Sequence, residues 1–179
     1  GAQEMSDLIA TFQDGFTAWR KAAPIVVARV QGHAIGAGFQ LALAADLRVV
    51  ADDVKFAMRE VTLGMIPDLA GTQPLVEAVG YSRALEICAT GRFIGADEAV
   101  RIGLASLAVP ADQLEAATAD LVAALLAMPE APLRELKPLL RQAIGADVDE
   151  QVARERAAQG RLLHGMVRAM GAAAKSPGS

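Results

Sequence analysis

An α/β fold with parallel strands is predicted by three features of the sequence. Short apolar runs alternate with segments of helical periodicity. The turn Gly36-Ala37-Gly38 leads from the first such run directly into a helical segment. From about Pro129 the chain reads as helix alone, which divides it into an α/β core, residues 1–128, and a helical section, residues 129–179.

The elements follow in order. Ser6 or Asp7 is suited to cap a first helix that runs to about Ala23, with Leu8, Phe12, Phe16 and Trp19 on one stripe. Pro24 stops it, and Ile25 to Val30 is a β-branched run that reads as a buried strand. After the glycine turn a helix carries Phe39 to Ala45. Leu47 to Ala51 is a second strand, and Phe56 to Met58 is expected to extend the same sheet. Gly64, Pro67 and Gly71 mark a loop. Helices are expected at Thr72 to Val79, Ser82 to Ala89 and Asp97 to Ile102, and a last strand at Ser106 to Val109. Ala111 to Met128 reads as one amphipathic helix with Leu114, Leu121, Leu125 and Met128 on one side. Two further helices cover Pro132 to Ile144 and Asp149 to Met170, and the tail Lys175 to Ser179 is expected to be mobile. So few strands make a thin parallel sheet, so additional N-terminal strands are expected outside this sequence.

Composition narrows the function. Of 179 residues, 53% are hydrophobic and 21% charged, a globular balance far from that of disorder. The net charge of −4 argues against nucleic acid as a partner, which calls for a basic footprint. A single cysteine, Cys88, excludes a multi-cysteine metal site, and two histidines, His33 and His164, argue against a histidine-rich one. No segment has the length and apolarity of a membrane span, and the first residues lack the basic and apolar regions of a secretory signal. A cytoplasmic protein is the expectation.

Two stretches can carry chemistry. In Gly32-His33-Ala34-Ile35-Gly36-Ala37-Gly38-Phe39-Gln40, a strand bends sharply into a helix, whose first N–H groups attract a negative oxygen. Taken by spacing alone, the same glycines read more readily as a plain turn. No lysine and hydroxyl follow them, and Leu41 stands where a dinucleotide fingerprint needs glycine or alanine, so a nucleotide phosphate site is disfavoured. In the second stretch, Phe56 to Gln73, Glu60 and Asp68 lie among apolar residues. A carboxylate in such surroundings is suited to proton transfer, although solvation of both side chains, or Asp68 capping the next helix, accounts for them at least as well.

Taken together, the stretches resemble the signature region of the crotonase superfamily, the enoyl-CoA hydratases and isomerases. The resemblance rests on Pro24-Ile25-Val26, Gly32 to Gly38, Ala45-Asp46-Leu47-Arg48, Glu60 to Gly64, Ile66-Pro67 and Gly71-Thr72-Gln73. It continues through Val79-Gly80, Thr90-Gly91, Glu98-Ala99, Ile102-Gly103-Leu104 and Val109-Pro110. It implies a spiral of ββα units with a helical C-terminal section, assembled as homotrimers or hexamers. It also implies an acyl-CoA substrate, with coenzyme A brought by the substrate and no other cofactor or metal. The thioester oxygen of the resulting enolate is held between two backbone N–H groups. One of these falls on Ala37, and the other belongs to a loop expected before Gly1. Two hydratase glutamates fall on Gln40 and Glu60. An amide cannot take a proton from water, so the resemblance leans toward double-bond isomerisation with Glu60 as acid/base and Gln40 orienting water or substrate. Asp68, eight residues after Glu60, matches an additional acid of dienoyl-CoA isomerases. Ile35, Gly36, Phe39 and Met58 are the candidate acyl-pocket residues. A non-catalytic acyl-CoA-binding homologue is the alternative.

Overall fold

The computed structural model describes residues 1–173, and the tail Lys175 to Ser179 lies outside them. The chain divides into two compact units, Gly1–Leu125 and Leu126–Ser179.

In the first unit, helix α1 (Ala2–Lys21) precedes strands β1 (Val27–Val30) and β2 (His33–Ile35) and helix α2 (Ala37–Ala44). Strands β3 (Leu47–Ala51) and β4 (Lys55–Ala57) follow, then a short 3₁₀ helix at Glu60–Leu63. Helices α3 (Thr72–Val79), α4 (Tyr81–Thr90) and α5 (Ala96–Arg101), strand β5 (Leu107–Val109) and helix α6 (Leu114–Leu126) complete the order. Strands β1, β3 and β5 form one parallel sheet in that spatial order, and β2 and β4 form a second. The chain therefore visits the larger sheet, then the smaller one, then a helix, and repeats: a ββα spiral.

Strand β3 is central and, apart from the buried Arg48, apolar on both faces, as a strand covered on each side must be. Val50 points into the main core with Phe39, Leu43, Phe56, Met58, Leu75, Ile87 and Leu104. Its neighbours Val49 and Ala51 point the other way, where Leu114 and the half-buried Leu121 of α6 cover them. Phe39 and Phe56 stack with ring centroids 4.9 Å apart, which locks α2 onto β4.

Several elements depart from the sequence reading. Phe56 does not extend the β1–β3 sheet; it pairs with Ala34 of β2, a strand too short to show a period. Helix α1 starts at Ala2, upstream of Ser6 and Asp7, because Gln3 and Glu4 are themselves good helix formers. Its inward-leaning residues are Ile9, Gln13, Phe16, Thr17 and Arg20 rather than the Leu8–Phe12–Trp19 stripe, which stays exposed. Polar anchors choose that face: Gln13 Nε2 donates to the Asp68 carbonyl at 2.6 Å, and Arg20 pairs with Glu77 at 2.5 Å. The segment from Ala111 is a 3₁₀ turn before α6 begins, and Met128 lies beyond its end and is exposed.

The second unit holds α7 (Glu130–Ala143) and α8 (Val148–Ala173). Arg161 of α8 makes a forked contact with Glu135 of α7, and Arg154 pairs with Glu150 on its own helix. His164 is an exposed residue of α8.

Arg48 fixes the C-terminal end of α2. It is buried, and its guanidinium donates to the carbonyls of Ala45 at 2.9 Å, Leu104 at 2.5 Å and Ala42 at 3.4 Å. Burial holds its pKa below the usual arginine value, and Asp46 partly offsets this. Methionine at this position keeps the stem and removes the guanidinium donors from the Ala45 and Leu104 carbonyls. An unsatisfied buried group costs about 1–3 kcal/mol, so Arg48→Met is expected to lower stability by roughly 3 kcal/mol. Urea unfolding reads this as a lower midpoint at unchanged slope.

Candidate active site

The turn before α2 is built on Gly36, whose φ of 53° and ψ of −117° exclude a side chain without strain. Its N–H donates to the Ala57 carbonyl at 2.8 Å, which ties the turn to β4. The first α2 bond runs from Gln40 N–H to the Gly36 carbonyl at 2.9 Å. Ala37 is the first residue of α2 and is exposed, so its N–H stands outside the helical ladder at the positive end of the helix.

Glu60 opens the 3₁₀ turn after β4 and is only 9% exposed. A Cβ on Gly36 would lie 3.4 Å from Glu60 Oε1 and 3.9 Å from Oε2, so the carboxylate rests against the bare face of that glycine. Gln40, 1% exposed, lies behind it and donates from Nε2 to Glu60 Oε1 at 2.7 Å. Among the described residues Glu60 Oε2 is buried without a hydrogen-bond partner. A buried carboxylate oxygen with an open lone pair is equipped to accept a proton.

Gln40 Oε1 accepts twice, from Leu69 N–H at 2.8 Å and from Gly71 N–H at 3.2 Å. Between those donors Ala70 holds a left-handed conformation, φ 62°, which costs a non-glycine residue on the order of 1–2 kcal/mol. Gly71 has no room for a side chain, since a Cβ would sit 2.6 Å from Gln40 Cγ. These backbone donors escaped the sequence reading. Only the Gly71-Thr72 start of α3 hinted at them, because a backbone N–H writes nothing in the side-chain pattern.

The other candidates spread out. Ile35 is 38% exposed beside the glycine turn, whereas Phe39 and Met58 are wholly buried in the main core. Asp68 is half-buried on the segment that supplies Leu69 N–H, and its carbonyl accepts from Gln13. His33 is exposed on β2. Cys88 is half-buried against the core; burial pushes its thiol pKa up, and the Glu60 charge adds to the effect. Among the described residues no group of three His, Cys, Asp or Glu side chains is placed to hold a metal ion, and no single helix is long and apolar enough to cross a membrane.

A ββα spiral whose glycine turn opens a helix over a buried glutamate is a crotonase-like arrangement, and comparison with known proteins agrees. A family model described as enoyl-CoA hydratase/isomerase matches residues 2–174. The crystal structure of a candidate enoyl-CoA hydratase from Thermobifida fusca YX in complex with CoA superposes with a TM-score of 0.90 at 46% identity, over 93% of this chain and 65% of that one. A second, in complex with acetoacetyl-CoA, gives 0.88 at 48% identity, over 91% and 64%. The protein named Probable enoyl-CoA hydratase echA8 from Mycobacterium bovis is 36% identical over 170 residues, which are 90% of this chain and 64% of that protein. The chain belongs to the enoyl-CoA hydratase/isomerase family of the crotonase superfamily. It spans about 64% of the length of the curated relatives it matches over 170 residues.

Proposed function

We propose that this chain carries the catalytic acid/base of an enzyme that moves a double bond in an unsaturated acyl-CoA. Glu60 takes and returns the proton, and Ala37 N–H is one donor to the thioester oxygen as the enolate forms. The observation that supports isomerisation over hydration is the bonding of Gln40. Activating water across two side chains needs a second acceptor beside Glu60. Both lone pairs of Gln40 Oε1 are already taken by Leu69 and Gly71 N–H, and its Nε2 only donates. One acid/base suffices for a 1,3-proton shift. A protein that merely binds acyl-CoA has no use for an unpartnered buried carboxylate oxygen, which argues against the non-catalytic alternative.

The proposal extends to CoA as part of the substrate, supported by the CoA and acetoacetyl-CoA complexes of the Thermobifida proteins, and to a reaction without metal or redox cofactor. Ile35 and Gly36 are the candidate pocket residues that reach the surface beside the turn, with Phe39 and Met58 behind them in the core. A cytoplasmic homotrimer or hexamer remains part of the reading. The half-exposed Leu8, Phe12 and Trp19 of α1 suit burial by further chain.

Steady-state rates of the intact protein on a 3-enoyl-CoA and on crotonyl-CoA test the choice. Isomerisation is expected to exceed hydration clearly, and Asp68→Asn is expected to leave isomerisation within a few-fold of wild type, because Glu60 alone takes and returns the proton. Hydration faster than isomerisation contradicts the isomerase assignment.

A further inference from the structure

We propose that Gln40 is a positioning residue that commits the two oxygens of Glu60 to different work: Oε1 stays an acceptor, and Oε2 alone carries the proton. The inference rests on the reading of Glu60 as acid/base and specifies its atoms. The amide of Gln40 cannot turn over. Leu69 and Gly71 N–H both point at its oxygen, at 2.8 and 3.2 Å, and a flipped amide would set its NH₂ against two donors. The left-handed Ala70 between them aims both N–H groups at one point, in the manner of a backbone nest. Gly71 lets the segment close on Gln40 where any Cβ would collide. With the amide fixed, Nε2 must face Glu60 Oε1, 2.7 Å away.

A proton on Glu60 Oε1 would meet that N–H donor head-on, so protonation is directed to Oε2, which has no partner among the described residues. The cycle balances on this one atom. Oε2 takes a proton from C2 of a 3-enoyl thioester, and the electron pair of the C–H bond passes into a dienolate. The resulting carboxylic acid then returns the proton to C4, the double bond settles between C2 and C3, and the carboxylate is restored. Oε2 is covered in this structure, so the side chains over it must part as the acyl chain enters. Cys88 of α4 is the titratable neighbour whose thiol feels the Glu60 charge, and burial keeps it in the neutral form.

The test replaces Gln40 in the intact protein and reads both catalysis and the carboxylate itself. Gln40→Met retains length and loses both polar ends. It is expected to lower kcat on a 3-enoyl-CoA by about 10–10²-fold with little change in KM, the scale of a misplaced reacting group. In carboxyl-¹³C NMR at a fixed neutral pH, the Glu60 resonance (identified by its loss in Glu60→Gln) is expected to move from its wild-type position, because the carboxylate has lost its donor. Gly71→Ala, which displaces Gln40, is expected to shift it the same way. Gln40→Glu covers the case in which these two variants fail to fold. Its new carboxyl still accepts from Leu69 and Gly71 but donates to Glu60 only while protonated, so it is expected to add an ionisation to the pH profile and to lose isomerase activity as that proton leaves. An unmoved Glu60 resonance in Gln40→Met, or a Gln40→Glu profile that superimposes on the wild type, overturns the proposal. The NMR reading does not depend on turnover. A shifted resonance in a protein inactive on 3-enoyl-CoA therefore upholds the role of Gln40 and rejects the proposed reaction.

Discussion

Glu60→Gln is expected to remove most of the activity while acyl-CoA binding stays nearly unchanged. Glutamine keeps the volume of the side chain in a site that is 91% covered, and it can still make one contact with Gln40, so the fold should tolerate it. What disappears is the acid/base that touches Gln40 and the Gly36 face. A positioned general base contributes about 10²–10⁴-fold to the rate, and a loss of that size in kcat is the expected reading. Calorimetric titration with a saturated acyl-CoA should give an affinity within a few-fold of wild type. The split follows from the geometry. The thioester oxygen is assigned to backbone at Ala37, which the substitution does not touch.

The second large effect is a change of reaction. Gln40→Glu places a second carboxylate about where Nε2 now stands, 2.7 Å from Glu60 Oε1. Two like charges so close cannot both ionise fully, so the pair is expected to share a proton through part of the working pH range. The new oxygen facing Glu60 supplies the acceptor that the amide lacks. Hydration of crotonyl-CoA should therefore rise while isomerisation of a 3-enoyl-CoA falls, and the balance between them should depend on pH. Rates on both substrates across a pH series check this. Parallel loss of both activities would show that the site does not become a water-activating pair.

Much of this was legible in the sequence, for identifiable reasons. Within the β3 run Leu47 to Ala51, Val49, Val50 and Ala51 are successive apolar residues, a pattern that suits a strand covered on both faces, and the structure packs Val50 one way and Val49 and Ala51 the other. The glycine turn into α2 announced itself because Gly36 requires a backbone that other residues resist. Strand β2 was missed because His33-Ala34-Ile35, between Gly32 and Gly36, offers a single inward residue, too little for a period. The wrong face of α1 was chosen because apolar spacing outvoted Gln13 and Arg20, whose partners Asp68 and Glu77 lie far along the chain. The site divides in the same way. Glu60 and Gln40 could be named from their motif. The contact that joins them, and the Leu69 and Gly71 donors that fix its sense, depend on backbone directions that the sequence does not spell out.

The central claim is that Glu60 exchanges a proton with carbon beside a thioester. The most direct measurement is ¹H NMR of a 3-enoyl-CoA incubated in D₂O with the intact protein and with its Glu60→Gln variant. The wild type is expected to move the double bond from C3 to C2 with protium carried from C2 to C4, and Glu60→Gln to bind the thioester without moving the double bond. Equal conversion by both proteins, or binding by the wild type with no conversion, would contradict the account.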